Sequence, residues 1–166
     1  MKNMKLIKKN SEYQLWEFTP SIFKLFYNDM ERITLQRKIR FFIELLRGYK
    51  VYYLMVENNL VAYSVVSKGG GRYSFASKKD IVVGPYFVDE KYRGKGYSEI
   101  LVKEILALDN YQYAYDWIRK DNIPSLKCSF KVGFIITDTA DVVKPFRRIV
   151  VRDDNSGEYY ILRYTK

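Results

Sequence analysis

The chain has 166 residues, 48% of them hydrophobic and 29% charged, which suits one folded domain with a sizeable core and excludes a disordered or fibrous chain. Its formal charge is +10, it contains no histidine, and Cys128 is its single cysteine. That combination excludes Ser–His–Asp triads, histidine general bases, histidine metal ligands and an internal disulfide.

The N-terminal run from Met1 to Lys9 lacks the apolar core of a signal peptide, and no stretch is long enough to span a membrane. A reducing cytoplasm is the expected location. Residues Tyr13 to Phe18 read as a first strand. Thr19-Pro20-Ser21 breaks it and offers Ser21 as a cap for a short helix over Ile22 to Tyr27. A second helix is expected from about Glu31 to Arg47. Leu35, Ile39, Phe42, Ile43 and Leu46 recur at helical spacing and form its apolar face, with Gly48 as the stop. Lys50 to Glu57 and Leu60 to Ser67 are β-branched and aromatic, joined by Asn58-Asn59 in a tight turn.

After a loop at Gly69–Gly71, Ile81 to Val88 reads as a fourth strand interrupted at Gly84-Pro85, where pairing is expected to bulge or stop. A helix follows over Ser98 to Leu108, burying Leu101, Ile105 and Leu108. Tyr111 to Ile118 is a fifth strand. Asn122 and Pro124 open another helix that ends near Gly133. Phe134 to Thr139 is a strand, and Arg148–Arg152 with Glu158–Tyr164 reads as a closing hairpin. The order of elements predicts an α/β fold with an antiparallel half.

The junction between the fourth strand and its helix carries the chemistry: Arg93-Gly94-Lys95-Gly96-Tyr97-Ser98. Glycines allow positive φ and close approach of backbone to a ligand, and a helix start presents unpaired N–H groups and a positive dipole end. Such a loop suits a phosphate. It is not a P-loop, because Gly96 follows Gly94-Lys95 where that motif needs Lys-Ser/Thr after an upstream glycine. Nor is it a dinucleotide fingerprint, because Glu99 stands where the third glycine belongs.

What remains, Arg93-x-x-Gly96-x-Ser98, resembles the pyrophosphate loop of the GNAT superfamily of N-acetyltransferases, with Ser98 departing mildly at the last position. Asn122-Ile123-Pro124-Ser125 followed by Gly133-Phe134 resembles that family's second signature, in the right order and with one helix and one strand between. The resemblance covers nearly the whole chain. It implies a GNAT (acyl-CoA N-acyltransferase) fold: a mixed central sheet of about seven strands with about four helices, splayed between strands four and five. It also implies one domain over residues 1–166, with an acceptor-side half to about 78, an acetyl-CoA-binding core over about 79–134 and C-terminal strands beyond.

By the resemblance, acetyl-CoA is the donor and an amine the acceptor, with no metal. The backbone of Tyr86, Phe87 and Val88 would pair with the pantetheine arm. The N–H groups of Arg93, Gly94, Lys95, Gly96, Tyr97 and Ser98 would hold the pyrophosphate, and Asn122 would meet the pantetheine end. Three catalytic side chains known in two branches of the family are missing: Ser129 occupies a tyrosine position, and Trp117 and Val82 occupy glutamate positions. Ser125 matches a serine that serves the departing thiolate in a further branch. For the base, Asp80 shares strand-face parity with Val82.

The acceptor stays open: a small molecule, an amino sugar or a protein amine. A catalytically inactive CoA-binding or regulatory module is one alternative. An RNA- or ribosome-directed acetyltransferase, suggested by the charge of +10, is another. A membrane partner is not expected, nucleic acid is possible without being favoured, and the chain is expected to be a monomer or homodimer.

Overall fold

The computed structural model describes residues 3–28, 34–108, 111–143 and 148–166. The described residues form nine strands, three α-helices and one short 3-10 turn. The strands are β1 (Met4–Lys9), β2 (Gln14–Phe18), β3 (Tyr49–Val56), β4 (Asn59–Lys68), β5 (Ile81–Val88), β6 (Tyr113–Arg119), β7 (Ile135–Val143), β8 (Arg148–Arg152) and β9 (Tyr159–Thr165). The helices are α1 (Leu35–Leu45), α2 (Tyr97–Leu106) and α3 (Ile123–Lys131). The chain divides into two compact units, Met1–Ser67 with Pro85–Ala107, and Lys68–Gly84 with Leu108–Lys166. The divide cuts β5 between Gly84 and Pro85, the dipeptide at which the sequence predicts an interruption.

In the first unit β1, β2, β3 and β4 form an antiparallel meander, with registers such as Leu15↔Leu54 and Tyr53↔Tyr63. The β3–β4 turn is Glu57-Asn58, one residue earlier than the sequence suggests. Both residues have positive φ, and Val56 pairs with Asn59, which is the geometry a two-residue hairpin turn needs. The core is aromatic: Phe18, Phe26, Phe41, Tyr49, Tyr53 and Tyr63 are buried together with Val51 and Val65.

That aromatic core explains why the expected helix over Ile22 to Tyr27 is replaced by turns and bends. The Tyr53 hydroxyl accepts from the Tyr27 N–H at 3.0 Å and donates to the Asn28 carbonyl at 3.2 Å. The Tyr49 hydroxyl donates to the Leu25 carbonyl at 2.9 Å. Side chains of β3 thus take backbone groups that a helix would have used, and six residues are too few to repay helix nucleation alone.

Helix α1 starts at Leu35, with the Thr34 hydroxyl accepting from the Arg37 N–H at 3.3 Å. The expected start near Glu31 lies outside the described residues. The expected core face is reversed. Phe41 and Glu44 are the buried residues of α1, while Leu35, Ile39, Phe42 and Ile43, with Leu46 just beyond, are exposed. Phe41 takes the inward place through an edge-on contact with Phe26 at 4.9 Å between ring centroids.

In the second unit the sheet is mixed. β5 and β6 run parallel, and the described ladder between them comprises two pairs, Ile81↔Ala114 and Val82↔Tyr115, although the strands have eight and seven residues. This is the split between strands that the sequence leads one to expect, and it makes the fold of the GNAT kind. On its other edge β6 pairs antiparallel with β9 along its whole length, β9 pairs with β7, and β7 with β8. The expected β8–β9 hairpin therefore does not form. Ile161 and Leu162 of β9 are fully buried, so β9 takes an interior place between β6 and β7, and the half-exposed β8 takes the edge. Gly157 permits the entry into β9, since a Cβ there would lie 2.5 Å from the Ala140 backbone nitrogen.

Candidate functional site

The glycine loop lies in the first unit, between the end of β5 and α2. Asp89 starts it: its carboxylate accepts from the Lys91 N–H at 2.9 Å and its carbonyl from the Tyr92 N–H at 2.8 Å. Gly94 and Gly96 then adopt φ of +77° and +78°, a region that costs side-chain-bearing residues dearly. A Cβ built on either glycine meets nothing within 4 Å, so the space above the loop backbone is open. Gly96 is also the N-cap of α2, and it leaves the first turn without a side-chain cap. Donors, dipole and open space coincide there, which is what an anionic group requires.

The remainder of α2 is held firmly. Leu101, Val102, Ile105 and Leu106 are buried, and Glu104 accepts from Lys8 Nζ at 2.7 Å and from the Tyr13 hydroxyl. The Arg93 side chain folds back over the loop's own base. Its Nε donates to the Val88 carbonyl at 3.2 Å, and its guanidinium lies over the Phe87 ring at 5.4 Å and 3.4 Å from the Glu90 carboxylate. In this arrangement Arg93 braces the turn. Tyr86, Phe87 and Val88 are half-buried on β5, with Phe87 packed against Tyr63 at 6.1 Å.

The other candidate residues belong to the second unit. Asn122 is exposed and caps α3, its Oδ1 accepting from the Ser125 N–H at 3.4 Å, and Pro124 sits in the first turn. Ser125 is half-buried one position further into that turn. Asp80 is not with them. It is 3% exposed, and its two carboxylate oxygens accept from the backbone N–H groups of Ser77 at 2.6 Å and Tyr113 at 3.0 Å. Those bonds fix Asp80 at the first residue of β6, whereas Asn122 and Ser125 follow the last. Asp80 thus clasps the Ser77–Asp80 turn to β6.

A buried carboxyl that the sequence reading misses lies under α3. Asp116 of β6 is 4% exposed, with Oδ1 accepting from the Trp117 N–H at 2.8 Å and Oδ2 accepting from the Ser129 hydroxyl at 2.9 Å. Burial pushes its pKa up from 3.8 to about 7, against the lowering effect of those two hydrogen bonds. The signal was present in the sequence. Ala114, Asp116 and Ile118 share one face of β6, and an aspartate on an otherwise apolar strand face asks for a partner.

The family model described as "Acetyltransferase (GNAT) family" matches residues 13–134. No curated protein matches. Among solved structures, the chain resembles the ribosomal L7/L12 alpha-N-protein acetyltransferase RimL in its apo form, with a TM-score of 0.61 and 11% identity over 97% of this chain and 98% of that one. It also resembles Ard1 from Thermoplasma volcanium, with a TM-score of 0.53 and 21% identity over 81% of each chain. A third is yncA from Salmonella typhimurium, solved with its cofactor acetyl-CoA, with a TM-score of 0.54 and 15% identity over 78% of this chain and 72% of that one. At these identities the likeness is one of fold.

Proposed function

The chain belongs to the Acetyltransferase (GNAT) family, and from that membership we propose that it carries the acetyl group of acetyl-CoA to an amine, with the Arg93–Ser98 loop holding the pyrophosphate. The observation that carries this reading is the uncapped start of α2, where two positive-φ glycines open the backbone to an anion. The residues present fit such a group. The loop supplies N–H donors, Lys95 adds positive charge, and among the described residues nothing lies within 4 Å of a Cβ built on Gly94 or Gly96.

Acetyl-CoA supplies an activated thioester. The chain's own tasks are then to hold it, to position an amine in its neutral form and to hand a proton to the sulfur that leaves. The backbone of Tyr86, Phe87 and Val88 is the proposed partner of the pantetheine amides, and Asn122 of its far end. Ser125 Oγ is the proposed donor at the sulfur, in the first turn of α3, where the helix dipole also favours a developing negative charge. With Asp80 engaged by two backbone amides, no carboxylate is assigned as base, and the amine is proposed to arrive neutral. The acceptor is a small molecule, an amino sugar or a protein amine.

The test is thermal stabilisation followed by turnover. Millimolar acetyl-CoA at low salt raises the melting temperature by mass action, and NADH and ATP raise it less. Free CoA thiol is then released in the presence of an accepting amine from a panel that spans the three classes. Absence of any shift with acetyl-CoA or CoA overturns the proposal.

A further inference from the structure

Helix α1 turns Phe41, Glu44 and Leu45 toward the protein body. Phe41 and Glu44 are buried on that side. Arg37 is turned the same way, donating to the Tyr63 hydroxyl at 3.1 Å and lying over the Phe41 ring at 5.9 Å. The opposite side is a continuous apolar stripe: Leu35, Ile39, Phe42, Ile43 and Leu46 are 74%, 54%, 51%, 52% and 85% exposed. At about 100° per residue these five fall within an arc of about 100°, a full apolar helix face. An exposed face of that size on a soluble chain marks a contact.

The charges beside the stripe identify what it contacts. On the same helical projection the exposed Arg47 borders one edge and the exposed Lys38 the other, while Arg40, half-buried, lies over the Phe41 ring at 4.7 Å. Glu44, the helix's one acidic residue, is turned inward and buried. The turn Ser21–Lys24 in the same unit repeats the chemistry: Ile22 is 64% and Phe23 is 92% exposed beside Lys24. A second copy of the chain would bring these basic borders against their like, in molecules that each carry +10. A plane of acyl chains beneath anionic headgroups satisfies the stripe and both borders at once. We propose that α1 lies on an anionic membrane surface, with Leu35, Ile39, Phe42, Ile43 and Leu46 entering the interface and the flanking basic residues meeting the lipid phosphates. Lying on a bilayer needs no span, so the lack of a membrane-crossing stretch in the sequence is no obstacle. The inference is independent of the acetyl-transfer reading.

Co-sedimentation with vesicles tests it. The protein is expected to pellet with vesicles of phosphatidylglycerol and phosphatidylcholine in equal parts, and to stay in solution with phosphatidylcholine alone. Raising the salt should weaken the binding. Phe42→Asp combined with Ile43→Asp should lower the partition coefficient at least about tenfold. Both side chains are exposed, so the variant is expected to fold, and an unchanged circular dichroism spectrum and melting temperature verify that. Three outcomes overturn the proposal. One is wild-type protein left in solution with the anionic vesicles. Another is a variant that binds as well as wild type, which would leave charge alone as the cause. The third is a concentration-dependent dimer in light scattering that the double substitution abolishes, which would make the occupant a second copy.

Discussion

Helices α2 and α3 each follow a strand and each begin at a signature that suggests ligand binding, yet they treat their first turns in opposite ways. Helix α2 starts at Gly96 in the left-handed region with no side-chain cap and open space above the backbone. Helix α3 starts at Asn122, whose side chain caps it, with Pro124 removing one further donor from its first turn. Beneath α3 the Ser129 hydroxyl is spent on the buried Asp116 carboxylate. One helix leaves donors for something outside the chain, and the other satisfies its own. Two sequence motifs of similar strength thus describe different local structures: an uncapped helix start with open space above its backbone, and a helix start capped by its own side chain.

The largest expected effect comes from the capped helix. Asp116 ionises at about 7 in the fold and near 3.8 when unfolded. Between those values the unfolded chain has released the proton and the folded chain retains it. Stability therefore falls as pH rises through that window and levels off above it. The contribution lost between about pH 5 and pH 8 amounts to as much as about 3 kcal/mol. Asp116→Asn should remove that part of the slope, so the two proteins should draw together or cross as pH rises. Parallel denaturation profiles across the window would show that α3 does not cover a proton-holding carboxyl.

Next is the uncapped helix. Gly96→Val forces a β-branched residue into positive φ and places methyl groups over the loop backbone. Acetyl-CoA affinity is expected to fall by a factor of about 30, roughly 2 kcal/mol, by calorimetric titration. The loss of stability without ligand should be smaller. Gly94→Val at φ of +77° should behave alike. If affinity survives in either folded variant, the loop is only a turn, and the contrast between the two helix starts collapses.

How much of this was legible follows from which forces act locally. The glycines at the start of α2 and the Asn122 cap depend on residues close in sequence, and the sequence places both. The orientation of α1 depended on which of its sides the aromatic core would accept. Phe26 and Tyr49 took Phe41, so a regular apolar stripe was left outside. The place of β9 between β6 and β7 was a matter of long-range pairing, and its five-residue neighbour β8 looked like its hairpin partner from adjacency alone. Asp80 fell in between. Its hydrogen bonds depended on Ser77 and on Tyr113, the second 33 residues away.

A smaller effect is expected at Ser125. Replacing a hydroxyl that acts only as the thiolate departs removes one hydrogen bond from the transition state, worth about 1 kcal/mol, or a fall of about fivefold in kcat. The KM for acetyl-CoA should hardly change for Ser125→Ala, because the ground state never used that bond. An equal rise in KM with kcat preserved would recast Ser125 as a binding group. No change in either would leave the thiolate to the α3 helix dipole alone.

The smallest effect separates the two roles that Asn122 has been given. As a cap with a long bond of 3.4 Å, it should contribute at the low end of the usual range, about 0.5 kcal/mol, and Asn122→Ala should lower stability by that much without ligand. Asn122→Ser keeps an oxygen able to accept from the first turn but removes the amide donors. If the residue is only a cap, the serine variant should match wild type in both stability and acetyl-CoA affinity. If it also meets the pantetheine end, the serine variant should keep its stability and lose affinity a few-fold. That second result would mean that the start of α3, closed to anions by its own cap, still turns one side chain toward the ligand. The contrast with α2 would then lie between backbone recognition and side-chain recognition rather than between binding and not binding.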